Sequence, residues 1–209
     1  MVIRTVLIVI VAAFVISCQQ DEQMKSTSDQ QGSEGLRAAD YERARQDKDD
    51  FFRNAPDSPL PEEVRAQFKG LSYFAPSAEF VVKARLIRSA DAPTFKMPTT
   101  QNDLRDAFQY GVFEFTVRGQ ALRLPAYRFT QAQHPYLFVP FTDSTTGNET
   151  YATGRYLDIE MQESDQYVID FNDAYNPYCA YNDKYSCPLV PKENHLPIAI
   201  EAGEKTWEH

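Results

Sequence analysis

The chain is short of several things. Its 209 residues hold 8 glycines, 3 histidines, 3 cysteines and 1 tryptophan. So few glycines leave little for loops that cradle phosphate. No G-x-S-x-G, H-E-x-x-H, P-loop or dinucleotide fingerprint occurs. His134, His195 and His209 do not stand at zinc-ligand spacing, and no C-x-x-C is present, so no metal or cofactor is expected. Positive charge is also scarce: 21 Lys and Arg face 30 Asp and Glu, a net charge of −9. An acidic surface argues against tracking nucleic-acid phosphates. What is present suits one packed domain with appendages: 43% of residues are hydrophobic and 13% aromatic.

The N-terminus reads as an address. One early charge, Arg4, precedes an apolar run from Val6 to Val15. From Thr5 to Ser17 the segment is 13 residues long, shorter than the ~20 needed to span a bilayer. Val15-Ile16-Ser17-Cys18 resembles a bacterial lipobox. Residues 1–17 are then a signal peptide, and Cys18 becomes the first mature residue, carrying acyl chains on its sulfur and amine. Two or more chains suffice for stable anchoring. Gln19 after the lipidated cysteine points to outer-membrane sorting, with the protein facing the periplasm or the cell surface. Residues 18–36, rich in Ser, Gln and Asp, form a flexible tether. A single β-rich domain then fills 37–209.

Tyr41, Ala44, Lys48, Phe51 and Phe52 recur at helical spacing, which predicts an N-terminal helix ending near Asn54. Asp49 and Asp50 oppose its dipole, so that end is expected to fray. Pro61 opens a short second helix to Phe68, with Gly70 as its stop. Beyond it the period becomes two. Strands are expected over 80–87, 94–97, 111–117, 122–129, 136–141, 156–161, 167–171 and 196–201. Residues 156–161 and 167–171 are expected to pair as a hairpin, and Pro125 to mark an edge or a bulge. The fold class is mainly β: an antiparallel β-sandwich or open barrel with an N-terminal helix and a short second helix.

Cys179 and Cys187 remain once Cys18 is lipidated. In an oxidising compartment a disulfide is expected, with free thiols as the alternative. Two polar clusters carry the candidate binding residues. The first holds Asp143, Glu149, Tyr151, Arg155 and Tyr156; the second holds Asp170, Asn172, Tyr175, Asn176, Glu193 and Asn194. Such residues satisfy irregular loops, or they offer ring faces and fixed donors to a sugar or peptide. His134 reads as a solvated loop residue, and His195 has Glu193 nearby but no nucleophile.

The strings Glu149-Thr150-Tyr151, Gly154-Arg155-Tyr156, Asp170-Phe171-Asn172, Ala174-Tyr175-Asn176-Pro177 and Cys187-Pro188 resemble the domain-of-unknown-function family 1684. The resemblance extends over residues 37–205 and implies a single, often exported bacterial domain. It transfers no catalytic residue. His195 departs from it, standing where an Arg is common. The expected function is a lipid-anchored envelope protein that binds a glycan, a peptide or an envelope partner. The membrane is met through the acyl chains, and nucleic acid is not a partner. One alternative is a hydrolase using two of Asp143, Glu149, Asp158, Asp170 and Glu193, about 5–10 Å apart, with Arg155 as an anion clamp. The other is a structural or assembly lipoprotein without catalysis.

Overall fold

A computed structural model describes residues 37–207. The expected signal peptide, the expected lipidation site Cys18 and the expected tether to residue 36 lie outside the described residues. The chain divides into two units, Met1–Ala44 and Arg45–His209. Residues 37–44 of the first unit are helical, with an exposed Arg43–Asp40 pair at 3.6 Å. In the second unit residues 45–54 make helix α1. Its C-terminal end does not fray. Asp49 accepts the Leu71 N–H at 2.9 Å, and Arg53 pairs with Asp50 at 2.9 Å, so neither carboxylate faces the dipole alone. Phe52 is fully buried here with Leu60 and Tyr181. Among the described residues no helix is long and apolar enough to cross a membrane.

The second helix, α2, is a single turn, Glu62–Arg65, shorter than expected. Arg65 turns back to donate to the carbonyls of Ala55, Ser58 and Leu60, which satisfies the proline-rich turn rather than extending the helix.

Seven strands follow: β1 Val81–Arg88, β2 Phe95–Pro98, β3 Leu104–Val117, β4 Gln120–Phe129, β5 Tyr136–Phe141, β6 Arg155–Glu160 and β7 Gln166–Asp170. They form one antiparallel half-barrel sheet in the order β6-β5-β4-β3-β1-β7, with β2 added to the start of β3. Of the two expected architectures this is the open one. β6 and β7 do not form the expected hairpin; they stand at opposite ends of the strand order. The free edge of β6 bonds instead to Tyr175, whose N–H and C=O both pair with Tyr156, while β7 finds its partner in β1.

One face of the sheet is buried along its length and the other is covered in part. Leu122, Leu124 and Ala126 of β4, Leu137, Val139 and Phe141 of β5, and Leu157 of β6 point into the main core with Phe113, Phe115 and Ile169. The residues between them, Tyr127, Phe138 and Tyr156, build a second cluster on the other face with Met97 and Ala107. A bulge between Gln109 and Gly111 lets β3 serve both clusters. One extra residue inverts the alternation, so Ala107 faces the second cluster and Phe113 the first. Gly111 follows the bulge where β1 passes close: a Cβ there would meet Ile87 O at 2.6 Å and Leu86 Cδ1 at 2.8 Å.

Prolines shape two of the expected strands. Pro125 lies inside β4, between β3 and β5, so it marks no edge; it pairs with Val112 beside the β3 bulge, the other position expected for it. Tyr127 pairs with Phe138, so two residues further on Pro125 and Pro140 come opposite each other. Neither has an N–H, and the β4–β5 ladder stops there. The Asn194 carboxamide fills the gap, donating to Pro125 O at 2.8 Å and Pro140 O at 2.7 Å. Residues 196–201 are not a strand. This segment runs beside the end of β5 and is stitched at single points: Leu196 N–H to Thr142 O at 2.8 Å, Ser144 N–H to Ile198 O at 3.0 Å, and Ile200 N–H to the Asp143 carboxylate at 3.3 Å. Pro197 and the intruding carboxylate leave no continuous ladder.

Gly111→Ala is expected to lower unfolding stability by about 2 kcal/mol, the cost of overpacking a tight backbone contact. A urea melt checks it; an unchanged midpoint would mean β1 and β3 can separate freely.

Candidate functional site

The first polar cluster turns inward. Arg155, at the start of β6, is fully buried, and Asp143 is 3% exposed. Arg155 Nη2 donates to Asp143 Oδ2 at 3.0 Å and Ile200 O at 2.8 Å. Nη1 donates to Ala202 O, and to Glu204 O at 3.1 Å. The guanidinium also lies 5.1 Å from the Phe141 ring centre. Burial pushes its pKa down, and the Asp143 charge opposes that shift. The other Asp143 oxygen accepts the N–H and hydroxyl of Thr145 at 2.8 and 2.6 Å. Arg155 therefore holds the chain's own C-terminal segment; sealed in the core, it is not the anion clamp the sequence suggested. Glu149 stays exposed, with Lys205 Nζ 4.0 Å away.

The second cluster is mostly structural too. Asp170 caps the 3-10 turn Phe171–Asp173 through the Asn172 N–H at 2.9 Å. Asn172 exchanges bonds with both backbone groups of Ser77, pinning the approach to β1. Asn176 donates its N–H to Glu204 Oε2 and its side-chain amide to Lys205 O, each at 2.8 Å. Asn194 bridges the two prolines and accepts the Tyr127 hydroxyl at 2.8 Å. His195 is exposed and within 3.0 Å of the Thr142 hydroxyl.

Glu204 escaped the sequence reading, because it follows the last apolar run beside Gly203 and looks like a surface acid. It is 1% exposed. Its carboxylate accepts the Tyr181 hydroxyl at 2.6 Å and the Asn176 N–H at 2.8 Å, and it pairs with Lys48. Burial, then the Glu204 charge, push the Tyr181 pKa well up, so the phenol remains a donor.

An open cavity of about 630 Å³ lies beside this pair, within the range of small-ligand sites. Its floor is the second face of the sheet: Arg105 of β3, Phe129 of β4, Phe138 of β5, and Tyr156 and Asp158 of β6. Lys48, Phe51 and Phe52 of α1 form one bank; the loops carrying Tyr175, Tyr178 and Tyr185 to Pro188 form the others. The rings make a run of four and a separate pair. Phe129 and Phe138 are 5.3 Å apart, Phe138 and Tyr156 4.7 Å, Tyr156 and Tyr175 5.8 Å, and Tyr178 and Tyr185 5.3 Å. Polar groups are fixed among them. Tyr175 donates to Asp158 Oδ2 at 2.7 Å, and Arg105 to Ser186 O at 2.5 Å. Tyr156 donates to Pro188 O.

Of the expected binding residues, Tyr156 and Tyr175 reach this cleft. Of the five acids proposed for hydrolysis, Asp143 is buried on Arg155, Asp170 caps a turn and Glu149 lies near Lys205. Among the described residues Asp158 is the one carboxylate on the cleft wall, whereas Glu193 lines another cavity beside Ala92, Phe95 and Tyr127. Among the described residues no group of three His, Cys, Asp or Glu could hold a metal. Cys179 and Cys187, expected as a bridge, are free thiols in this structure. They are neighbours: the Cys179 N–H donates to Cys187 Sγ at 3.2 Å. Tyr151 reaches Cys179, its hydroxyl 3.4 Å from the carbonyl and 3.9 Å from the sulfur.

Residues 66–205 match the family described as Protein of unknown function (DUF1684). The chain belongs to the DUF1684 family. That span includes the whole half-barrel and Arg155, Asn194 and Glu204, while Lys48, Phe51 and Phe52 of the cleft precede it. A similar member-sized structure is the solution NMR structure of an uncharacterised protein from Haloarcula marismortui. It is 35% identical, covers 84% of this chain and 97% of its own, and superposes with a TM-score of 0.65. No curated protein matches the chain.

Asn194→Ala in this DUF1684 chain would strand two carbonyls, at ~1–3 kcal/mol each, and leave the Tyr127 hydroxyl with Glu193 at 3.3 Å. A stability loss of about 3 kcal/mol is expected in chemical denaturation. A loss below ~0.5 kcal/mol, the range of a neutral surface substitution, would show that the proline gap needs no bridge.

Proposed function

We propose that this DUF1684 chain is a lipid-anchored binding protein of the bacterial envelope whose aromatic cleft takes a glycan. One observation carries the reading: ring faces from three strands and two loops line an open cavity, with Arg105, Asp158 and the Tyr175 hydroxyl set among them. Flat rings cover the apolar faces of a sugar, and fixed donors and acceptors meet its hydroxyls. The rings are held by the sheet and by buried polar pins, so little ordering entropy is lost on binding. The lipobox motif at Val15–Cys18 supports anchoring through Cys18, and Gln19 supports the outer membrane. The Ser/Gln-rich tether lets the cleft stand off the surface. In that oxidising setting Cys179 and Cys187 close to a disulfide.

Two experiments test the two halves. Cells fed a clickable fatty acid should label the wild-type protein and not Cys18→Ser, which should leave the membrane fraction; equal labelling would refute the anchor. Isothermal titration against cell-wall and host glycans should find a ligand. Tyr178→Ala, which removes a half-exposed ring from the rim, should weaken it at least tenfold, about 1.4 kcal/mol. No binding across the panel, or equal binding by the variant, would refute the cleft's role.

A further inference from the structure

We infer that Cys179 and Cys187 form a thiol–disulfide exchange site on the rim of the cleft, acting on small-molecule disulfides and thiols with Cys179 as the attacking and Cys187 as the resolving cysteine. This goes beyond the binding reading, which stands or falls on the cleft's ligand alone.

The geometry separates the two sulfurs by role. Cys179, in the 3-10 turn Tyr178–Ala180, is partly exposed, whereas Cys187 is 7% exposed and borders the cleft. Cys179 is thus the more open of the two to a disulfide arriving from solvent. Cys187 is locked in place by Thr100, whose N–H donates to Cys187 O at 2.9 Å and whose hydroxyl accepts the Cys187 N–H at 3.1 Å. Its sulfur already sits against the Cys179 backbone N–H. The resolving thiol thus waits against the turn that carries the attacking one.

The surroundings favour a thiolate at Cys179. The Cys187 thiol is its strongest donor, followed by the Tyr151 and Thr100 hydroxyls, and together they pull the Cys179 pKa down to about 6 despite burial. Cys187 moves the opposite way, because donating to Cys179 and its own burial both hold its proton. One nucleophile is ready near neutral pH; its partner stays protonated until needed.

The reaction balances in two steps. The Cys179 thiolate attacks one sulfur of RS–SR, forming a mixed disulfide and expelling RS⁻. Cys187 then passes its proton to RS⁻ and attacks Cys179 Sγ, forming the internal bond and expelling the second RS⁻, which takes a proton from water. Two electrons pass from the dithiol to RS–SR. Excess thiol runs the same steps backward. The bond would close the segment that supplies Tyr185, Ser186 and Cys187 to the cleft wall, so cleft and redox state share residues.

The test uses the full chain in detergent with glutathione and oxidised glutathione, read by intact mass and peptide mapping. Wild type should lose two hydrogens in oxidised glutathione and regain them in reduced glutathione without denaturant. Cys187→Ser should accumulate one glutathionyl group at Cys179, and Cys179→Ser should gain none in the same time. Iodoacetamide should modify wild-type Cys179 with a pH midpoint near 6, at least tenfold faster at pH 7 than Cys187. Tyr151→Phe should raise that midpoint. Three results would overturn the site: a bridge that glutathione opens only after unfolding, an adduct forming equally well on Cys187 in Cys179→Ser, or a Cys179 midpoint at the ordinary thiol value of about 8.5. The alkylation profile needs no variant and decides the matter even where a substitution fails to fold.

Discussion

A guanidinium without access to water governs this molecule. Arg155 joins the end of β5, through Asp143, to three carbonyls of the C-terminal segment, at Ile200, Ala202 and Glu204. A charge of this kind is costly to bury and costlier to leave unpaired; removing one partner of such a pair typically costs about 3–5 kcal/mol. The segment it holds then delivers the Glu204 carboxylate to Lys48, Tyr181 and the Asn176 N–H. Those contacts fix one bank of the aromatic cleft and the loop that carries Tyr175 and Tyr178. The cleft is thus shaped from the far side of the sheet, by residues that never touch its contents.

A second constraint comes from two prolines. Pro125 and Pro140 open the β4–β5 ladder where a continuous sheet would otherwise run. The Asn194 amide spans the opening and fixes the Tyr127 hydroxyl with its remaining oxygen. Side-chain bonds thus replace backbone bonds at the β4–β5 gap and, at Ile200, beside the end of β5. This lets an open sheet carry a packed core on one face and a ring-lined cavity on the other.

Much of the fold was legible. β1 reads directly from the sequence, since Val82, Ala84 and Leu86 face the core and Lys83 and Arg85 face out. The first half of β3 did not read, because the bulge after Gln109 breaks the period of two. The pairing of β6 and β7 misled for a different reason: adjacency in sequence suggested a hairpin, while register and edge partners are set by distant residues. At the candidate site the residue types pointed the wrong way. Asp143, Arg155, Asn172, Asn176 and Asn194 look like surface chemistry, yet each satisfies buried backbone over long sequence distances. The cleft's own rings, Phe129 and Phe138, look like ordinary core. Only the extra layer on the second sheet face distinguishes them, and no local pattern encodes it. Tyr156 and Tyr175 were found because they belong to both worlds.

The central claim is that Arg155 clamps the C-terminal segment to the sheet and so shapes the cleft. Trp207, the chain's one tryptophan, packs 5.6 Å from Tyr181 at the end of that segment and reports on its docking. The direct measurement is Trp207 emission and far-UV circular dichroism across a urea titration of Arg155→Met. The account predicts that the emission shifts to the red at lower urea than in wild type, ahead of the loss of β-signal. Coincident transitions at the wild-type midpoint would contradict it.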